Sequence, residues 1–197
     1  IGTRYSPGSP HVTINPSQDV KALVQGLRIL LLDVDGVMTD GGIILVGGDL
    51  EAKRFDVQDG MGVTLLRSSG MMVGIVTSRN SEVVQRRAKE LGMEELFQGV
   101  RHKPQVLDHL GEKYGIEPSQ AAFVGDDIQD VPIMRLVGVP IAVQNAIPEV
   151  KEASVYVTKA QGGHGAIREV AEWLLELRGD REQVYRQITG QEPVPQG

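Results

Sequence analysis

Two acidic runs in this sequence have the spacing of reactive groups. Asp33-Val34-Asp35-Gly36 directly follows the apolar stretch Ile29–Leu32, and Gly125-Asp126-Asp127-Ile128-Gln129-Asp130 follows a second, Ala121–Val124. Carboxylates this close together repel one another and are costly to desolvate unless a cation or a substrate compensates them. Their oxygens are the ligands Mg²⁺ prefers, so one metal shared by the two runs would resolve both. A carboxylate can also attack phosphorus, and a second beside it can serve as general acid and base. Residues two apart on an extended strand point the same way, which aims Asp33 and Asp35 at one place. The plainer readings are a solvated acidic turn for the first run and helix-capping acids for the second.

Two further segments suit an anionic group. Thr77-Ser78-Arg79-Asn80 follows the apolar run Met72–Val76, where a hydroxyl and the N–H groups of a helix start form an anion site and Arg79 adds a bidentate donor. Lys103, in His102-Lys103-Pro104, could neutralise a phosphoryl oxygen and the nucleophile. Taken singly, a helix cap and a solvated lysine explain these residues as well.

Composition narrows the classes. The 197 residues match one domain of ordinary size. A net charge of −6 argues against a nucleic-acid surface. With no cysteine there is no disulfide framework, thiolate nucleophile or Cys-ligated metal, and hard cations on oxygen are favoured. No apolar stretch approaches the roughly 20 residues of a membrane span, so a soluble cytoplasmic protein is the expectation.

The elements that would position these groups follow a βαβα rhythm. Strands are expected at 28–34, 72–76, 121–124 and 139–143, with helices at 19–27, 63–69, 81–91, 104–114, 130–137 and 165–178. That is a doubly wound parallel sheet, whose ligands lie at the carboxyl ends of the strands. A β-hairpin is expected within 41–56, with apolar arms at 43–46 and 52–55 about Gly47-Gly48-Asp49. Residues 1–18 read as an irregular arm, 19–179 as the folded domain and 180–197 as a flexible polar tail. Trp173 reads as packing.

The four functional segments also keep an order: an acid pair, Thr77 44 residues on, Lys103 26 further and Asp126 23 further. With DxDG at Asp33–Gly36 and GDDxxD at Gly125–Asp130, the set resembles the haloacid dehalogenase superfamily over about residues 28–178. The resemblance implies a Rossmann-like core and an aspartyl-phosphate on Asp33. It implies Asp35 as acid and base, and Mg²⁺ held by Asp33, Asp35 and Asp126 with the Val34 carbonyl, Asp127 or Asp130 standing nearby or just outside those ligands. It further implies phosphoryl oxygens on Thr77, Ser78 N–H and Lys103. Only about 40 residues separate the first two motifs, leaving no room for a large cap domain. The segments 53–62 and 162–170 are similar to the capless sugar-acid phosphatases. Substrate contacts implied there are Ser78, Arg79, Lys53, Asp127 and Asp130, with 3-deoxy-D-manno-octulosonate 8-phosphate first among substrates and nine-carbon 9-phosphates second. Gln58, Ser78 and His164 stand where such proteins often carry Arg, Gly and a basic or Gly-rich equivalent. A homotetramer whose neighbouring subunits close each site is also implied. A receiver domain would carry its acceptor Asp after a middle strand, where this chain has Thr77. A catalytically silent oligomerisation scaffold is the reading from another class.

Overall fold

The computed structural model describes residues 19–47 and 50–190. Its elements are α1 (Asp19–Gln25), β1 (Ile29–Leu32), β2 (Ile44–Gly47), β3 (Leu50–Ala52), α2 (Val57–Ser68), β4 (Met72–Val76), α3 (Glu82–Glu90), β5 (Glu95–Phe97), α4 (Gln105–Tyr114), β6 (Ala121–Gly125), α5 (Val131–Met134), β7 (Val139–Ala142), α6 (Pro148–Glu152), β8 (Tyr156–Val157), α7 (Ala166–Arg178) and α8 (Arg181–Thr189).

Six strands form one parallel sheet in the order β5-β4-β1-β6-β7-β8, and β2 and β3 form a separate antiparallel pair. Successive side chains of a strand face opposite sides, yet Ile29, Leu30, Leu31 and Leu32 of β1 are all fully buried. Both faces of the sheet are therefore covered, as the bare apolar run predicts. Burying each of these side chains is worth about 1.5–3 kcal/mol. From β1 the chain adds β4 and β5 to one side, then returns to add β6, β7 and β8 to the other. The switch point thus falls between β1 and β6, with Leu32 registered against Ile75 and Val124. Between β1 and β4 stand only the hairpin and α2, so no large cap domain is present.

Several boundaries move. Helix α2 begins at Val57, not 63, because Asp56 caps it by accepting from Gln58 N and Asp59 N. Gly60 and Gly62 are tolerated inside it: a Cβ on Gly62 would lie 2.9 Å from Arg168 Cα, so the missing side chain admits the start of α7. The second hairpin arm is Leu50–Ala52, ahead of the expected 52–55, since the chain from Lys53 already leads into that cap. Ser81 caps α3 through Val84 N, where the sequence placed it inside the helix. The expected helix 130–137 is a one-turn 3₁₀ helix, Ile128–Asp130, followed by the short α5.

Part of the expected polar tail is the helix α8, Arg181–Thr189. After Gly179, α8 packs Val184 inward, and Tyr185 Oη accepts from Arg168 Nη2 at 2.7 Å and donates to Glu172. The arm 1–18, the hairpin turn at Gly48-Asp49 and residues 191–197 lie outside the described residues. Trp173 stacks on Tyr156 at 4.2 Å between ring centroids, in line with a packing role. Among the described residues no helix is long and apolar enough to cross a membrane.

Candidate active site

The acids meet at the switch point. Asp33 leaves β1 with its N–H bonded to Val124 O at 3.1 Å, and Asp126 leaves β6 beside it. One oxygen from each of Asp33, Asp126 and Asp130 lies within 4.8 Å of the others. Gly36 turns the chain back at φ +91°, and a Cβ there would stand 1.9 Å from Asp126 Oδ2, so only glycine lets that carboxylate in.

Lys103 enters from the loop before α4, its side chain 2% exposed, 3.0 Å from Asp33 Oδ1 and 2.6 Å from Asp130 Oδ1. Asp130 is fully enclosed, and its Oδ2 also accepts Asp126 N at 2.9 Å and Asp127 N at 3.3 Å. One buried cation thus faces two carboxylates, and the third has no counter-charge in contact. The electrostatics follow. Burial first, then the Asp130 charge, raises the Asp33 carboxyl to about 6 against the pull of Lys103. Burial, then the charges of Asp33 and Asp130, pushes Asp126 to about 8. Burial pulls the Lys103 ammonium down, but Asp33 and Asp130 together hold it above its ordinary value.

Asp126 Oδ1 is enclosed without a hydrogen-bond partner. Asp33 Oδ1 is used by Val34 N at 2.7 Å and by Lys103, while Oδ2 makes no hydrogen bond among the described residues. A divalent cation fits this donor set: hard oxygens, an excess of negative charge and an orphaned buried oxygen.

A second group of side chains forms the mouth. Asp35 pairs with Lys53, whose side chain is almost wholly covered, and Arg79 Nε lies 3.6 Å from Asp35 Oδ2. Arg79 Nη2 donates to Glu51 Oε2 at 3.1 Å. Thr77 is buried at the end of β4, its hydroxyl oxygen accepting Arg79 N at 3.3 Å, with half-buried Ser78 next. The structure therefore brings Asp33, Asp35, Lys53, Thr77, Ser78, Arg79, Lys103, Asp126 and Asp130 to the carboxyl ends of β1, β4 and β6.

The structure gives four of the expected contacts these surroundings. Of the expected metal set, Asp33 and Asp126 meet in one cluster, while the Asp35 carboxylate faces Lys53 and Arg79. The Val34 carbonyl is already occupied by Val37 N, Met38 N and Thr39 N at 3.2, 2.9 and 3.1 Å, so the turn consumes it. Asp127 does not reach the cluster: it is exposed and its Oδ1 caps its own helix turn through Ile128 N at 2.7 Å. Asp130 is enclosed, with its oxygens on Lys103 and two N–H groups, and so braces Lys103 and has no face for a substrate. The sequence reading missed two residues. Glu51 could have been found from its spacing of two from Lys53. Asn145 ties Gly36 O at 3.0 Å to Gly162 N at 2.7 Å, bridging loops 17 and 109 residues from it, and carries no local signal.

Comparisons with known proteins agree with this geometry. Residues 95–170 match the model of the haloacid dehalogenase-like hydrolases. The chain is 38% identical to 3-deoxy-D-manno-octulosonate 8-phosphate phosphatase KdsC of Salmonella typhimurium over 95% of both chains. Among solved structures it resembles the 3-deoxy-D-manno-octulosonate 8-phosphate phosphatase of Moraxella catarrhalis, in complex with a magnesium ion, a phosphate ion and KDO. That likeness has a TM-score of 0.83 at 37% identity, covering 86% of this chain and 98% of that one. It also resembles the cobalt-bound form of the deoxy-D-mannose-octulosonate 8-phosphate phosphatase of Haemophilus influenzae, with a TM-score of 0.77 at 32% identity and coverage of 83% and 98%. With a common fold and this identity over nearly the whole length, the chain belongs to the haloacid dehalogenase-like hydrolases and, within them, to the 3-deoxy-D-manno-octulosonate 8-phosphate phosphatase family.

Proposed function

We propose that this chain is a Mg²⁺-dependent phosphomonoester hydrolase that releases phosphate from 3-deoxy-D-manno-octulosonate 8-phosphate by way of an aspartyl-phosphate. The observation that carries this reading is Asp126 Oδ1, enclosed and unpartnered beside Asp33 and Lys103. Asp33 and Asp126 would hold the metal, which when bound supplies positive charge to the phosphoryl oxygens.

The chain's own residues divide the remaining work. Asp33 attacks phosphorus, forming the acyl-phosphate bond as the ester P–O bond breaks, and Asp35 gives its proton to the departing sugar oxygen. Asp35 then takes a proton from water, whose oxygen attacks phosphorus and releases inorganic phosphate with Asp33 restored. Lys103, Thr77 and the Ser78 N–H meet the phosphoryl oxygens, where charge develops. Asp130 acts only through Lys103. Lys53 holds Asp35, and Arg79, with free donors at the mouth, takes the sugar-acid carboxylate.

The test is Mg²⁺-dependent phosphate release from the octulosonate ester beside nine-carbon 9-phosphates and an aryl phosphate. A strong preference for the first is expected. A nine-carbon 2-keto-3-deoxy acid is the second reading, favoured by Gln58, which stands exposed at the start of α2 where the family often has Arg. The silent-scaffold reading loses ground because the motif residues converge. The exposed apolar side chains of the hairpin, Leu45 at 77% and Val46 at 62%, support self-association as a homotetramer. A cytoplasmic location accords with the same reading.

A further inference from the structure

Arg79 is weakly anchored for a residue of the mouth. Its side chain is 41% exposed, its Nε has no hydrogen-bond partner at 3.6 Å from Asp35, and its one side-chain hydrogen bond among the described residues is the 3.1 Å contact with Glu51. A guanidinium binds a carboxylate best as a planar fork presented in a fixed orientation. Glu51 supplies that orientation from the inward side of β3. Two residues on, Lys53 reaches Asp35 from the same side, so positive and negative charges alternate along Lys53, Asp35, Arg79 and Glu51.

Glu51 is itself held as a carboxylate: its side chain is 16% exposed, and the Ser81 side chain first, then Arg79 and Lys53, keep its carboxyl below the ordinary value against the effect of burial.

We infer that Glu51 is a positioning residue for selectivity: it fixes the Arg79 fork to receive the carboxylate of the sugar acid, so the hairpin helps choose the substrate. This rests on the sugar-acid reading above. Without Glu51, Arg79 is free to rotate or to close on Asp35.

The sign of the effect separates this role from simple electrostatics. Glu51 adds negative charge to a mouth that admits anions, so removing it for charge reasons alone would improve KM for every phosphate ester. A positioning role has the opposite effect on the carboxylated ester. In Glu51→Gln, kcat/KM for 3-deoxy-D-manno-octulosonate 8-phosphate is expected to fall about ten-fold, mainly through KM, with under about a two-fold change for p-nitrophenyl phosphate. The same substitution placed in Arg79→Gln is expected to add less than about two-fold, because the group it positions is already gone. Thermal unfolding of each variant reports the fold.

Equal losses on both esters, a gain on both, or full additivity with Arg79→Gln would overturn the inference while leaving the substrate reading intact. Wild-type protein that hydrolyses the aryl ester but not the octulosonate ester would overturn both.

Discussion

The floor of the site and its mouth are built on different principles. The floor consists of Asp33, Asp126, Asp130 and Lys103, held at the ends of the two central strands or buried behind them, and its members contact one another within the low-dielectric interior. The mouth consists of Asp35, Lys53, Arg79 and Glu51, contributed in part by a two-stranded hairpin outside the main sheet, with Arg79 open to water. Charge at the floor is unbalanced and strongly perturbed; charge at the mouth alternates in sign. The contrast is one of origin: the sheet carries Asp33 and Asp126 at its strand ends, whereas the hairpin reaches the site only through Lys53 and Glu51, which hold Asp35 and Arg79.

Substitutions at the floor should separate the two most sharply. Asp33→Asn is expected to lower turnover at least about a thousand-fold on every ester, because it removes the nucleophile and alters little else. Turnover within ten-fold of wild type would defeat the covalent route. Asp130→Asn leaves Lys103 with one carboxylate and breaks a buried pair, which is expected to cost about 3 kcal/mol in chemical denaturation. A loss under about 0.5 kcal/mol would show that Asp33 alone satisfies the lysine. Gly36→Ala drives a methyl group into Asp126 at a positive φ, and Mg²⁺ affinity measured by calorimetry is expected to fall up to about a hundred-fold. Unchanged affinity would mean that Asp126 is not a ligand.

The pH dependence of the metal-free protein tests the floor from another direction. The Asp33 and Asp126 carboxyls, raised to about 6 and about 8, bind protons more tightly when folded than when unfolded. Their contribution to stability is therefore greatest near pH 4 and declines as pH rises towards about 8. Mg²⁺ competes with those protons, so it is expected to raise Tm by several degrees more at pH 8 than at pH 5, within roughly the 2–8 °C per kcal/mol of ordinary domains. An equal gain at both pH values would contradict the crowding of charge described here. The smallest effect belongs to the hairpin's outer side: Leu45→Lys is expected to change subunit stability by less than about 0.5 kcal/mol while lowering the solution mass by light scattering. An unchanged mass would remove the hairpin from self-association.

Much of this arrangement was legible in the sequence, and the exceptions have physical causes. β1, β4, β6 and β7 announce themselves because a doubly covered strand must be apolar at every position. β5 and β8, of three and two residues at the sheet edges, carry no such run. α8 buries Val184 alone and relies on contacts of Tyr185 and Arg181 with Glu172, so its periodicity is nearly silent. The chemistry-bearing residues were visible as types in order. Their pairing was not: Lys103 with Asp130 and Lys53 with Asp35 join residues 27 and 18 positions apart, and only the closed sheet decides which acid receives which cation. Asp130 beside the metal cluster is thus legible from the GDDxxD spacing, while its ion pair with Lys103 is not.

The strand order also determines when the molecule can become an enzyme. Ile29 pairs with Met72 on one side and with Ala121 on the other, so the central strand stays open along one edge until more than half of the chain has been made. Parallel pairings of such separation form slowly, whereas the antiparallel hairpin closes locally within microseconds. During synthesis Ile29–Leu32 is thus an unpaired apolar edge awaiting β6, the kind of surface on which nascent chains associate wrongly. The hairpin can be complete long before the catalytic acids have met.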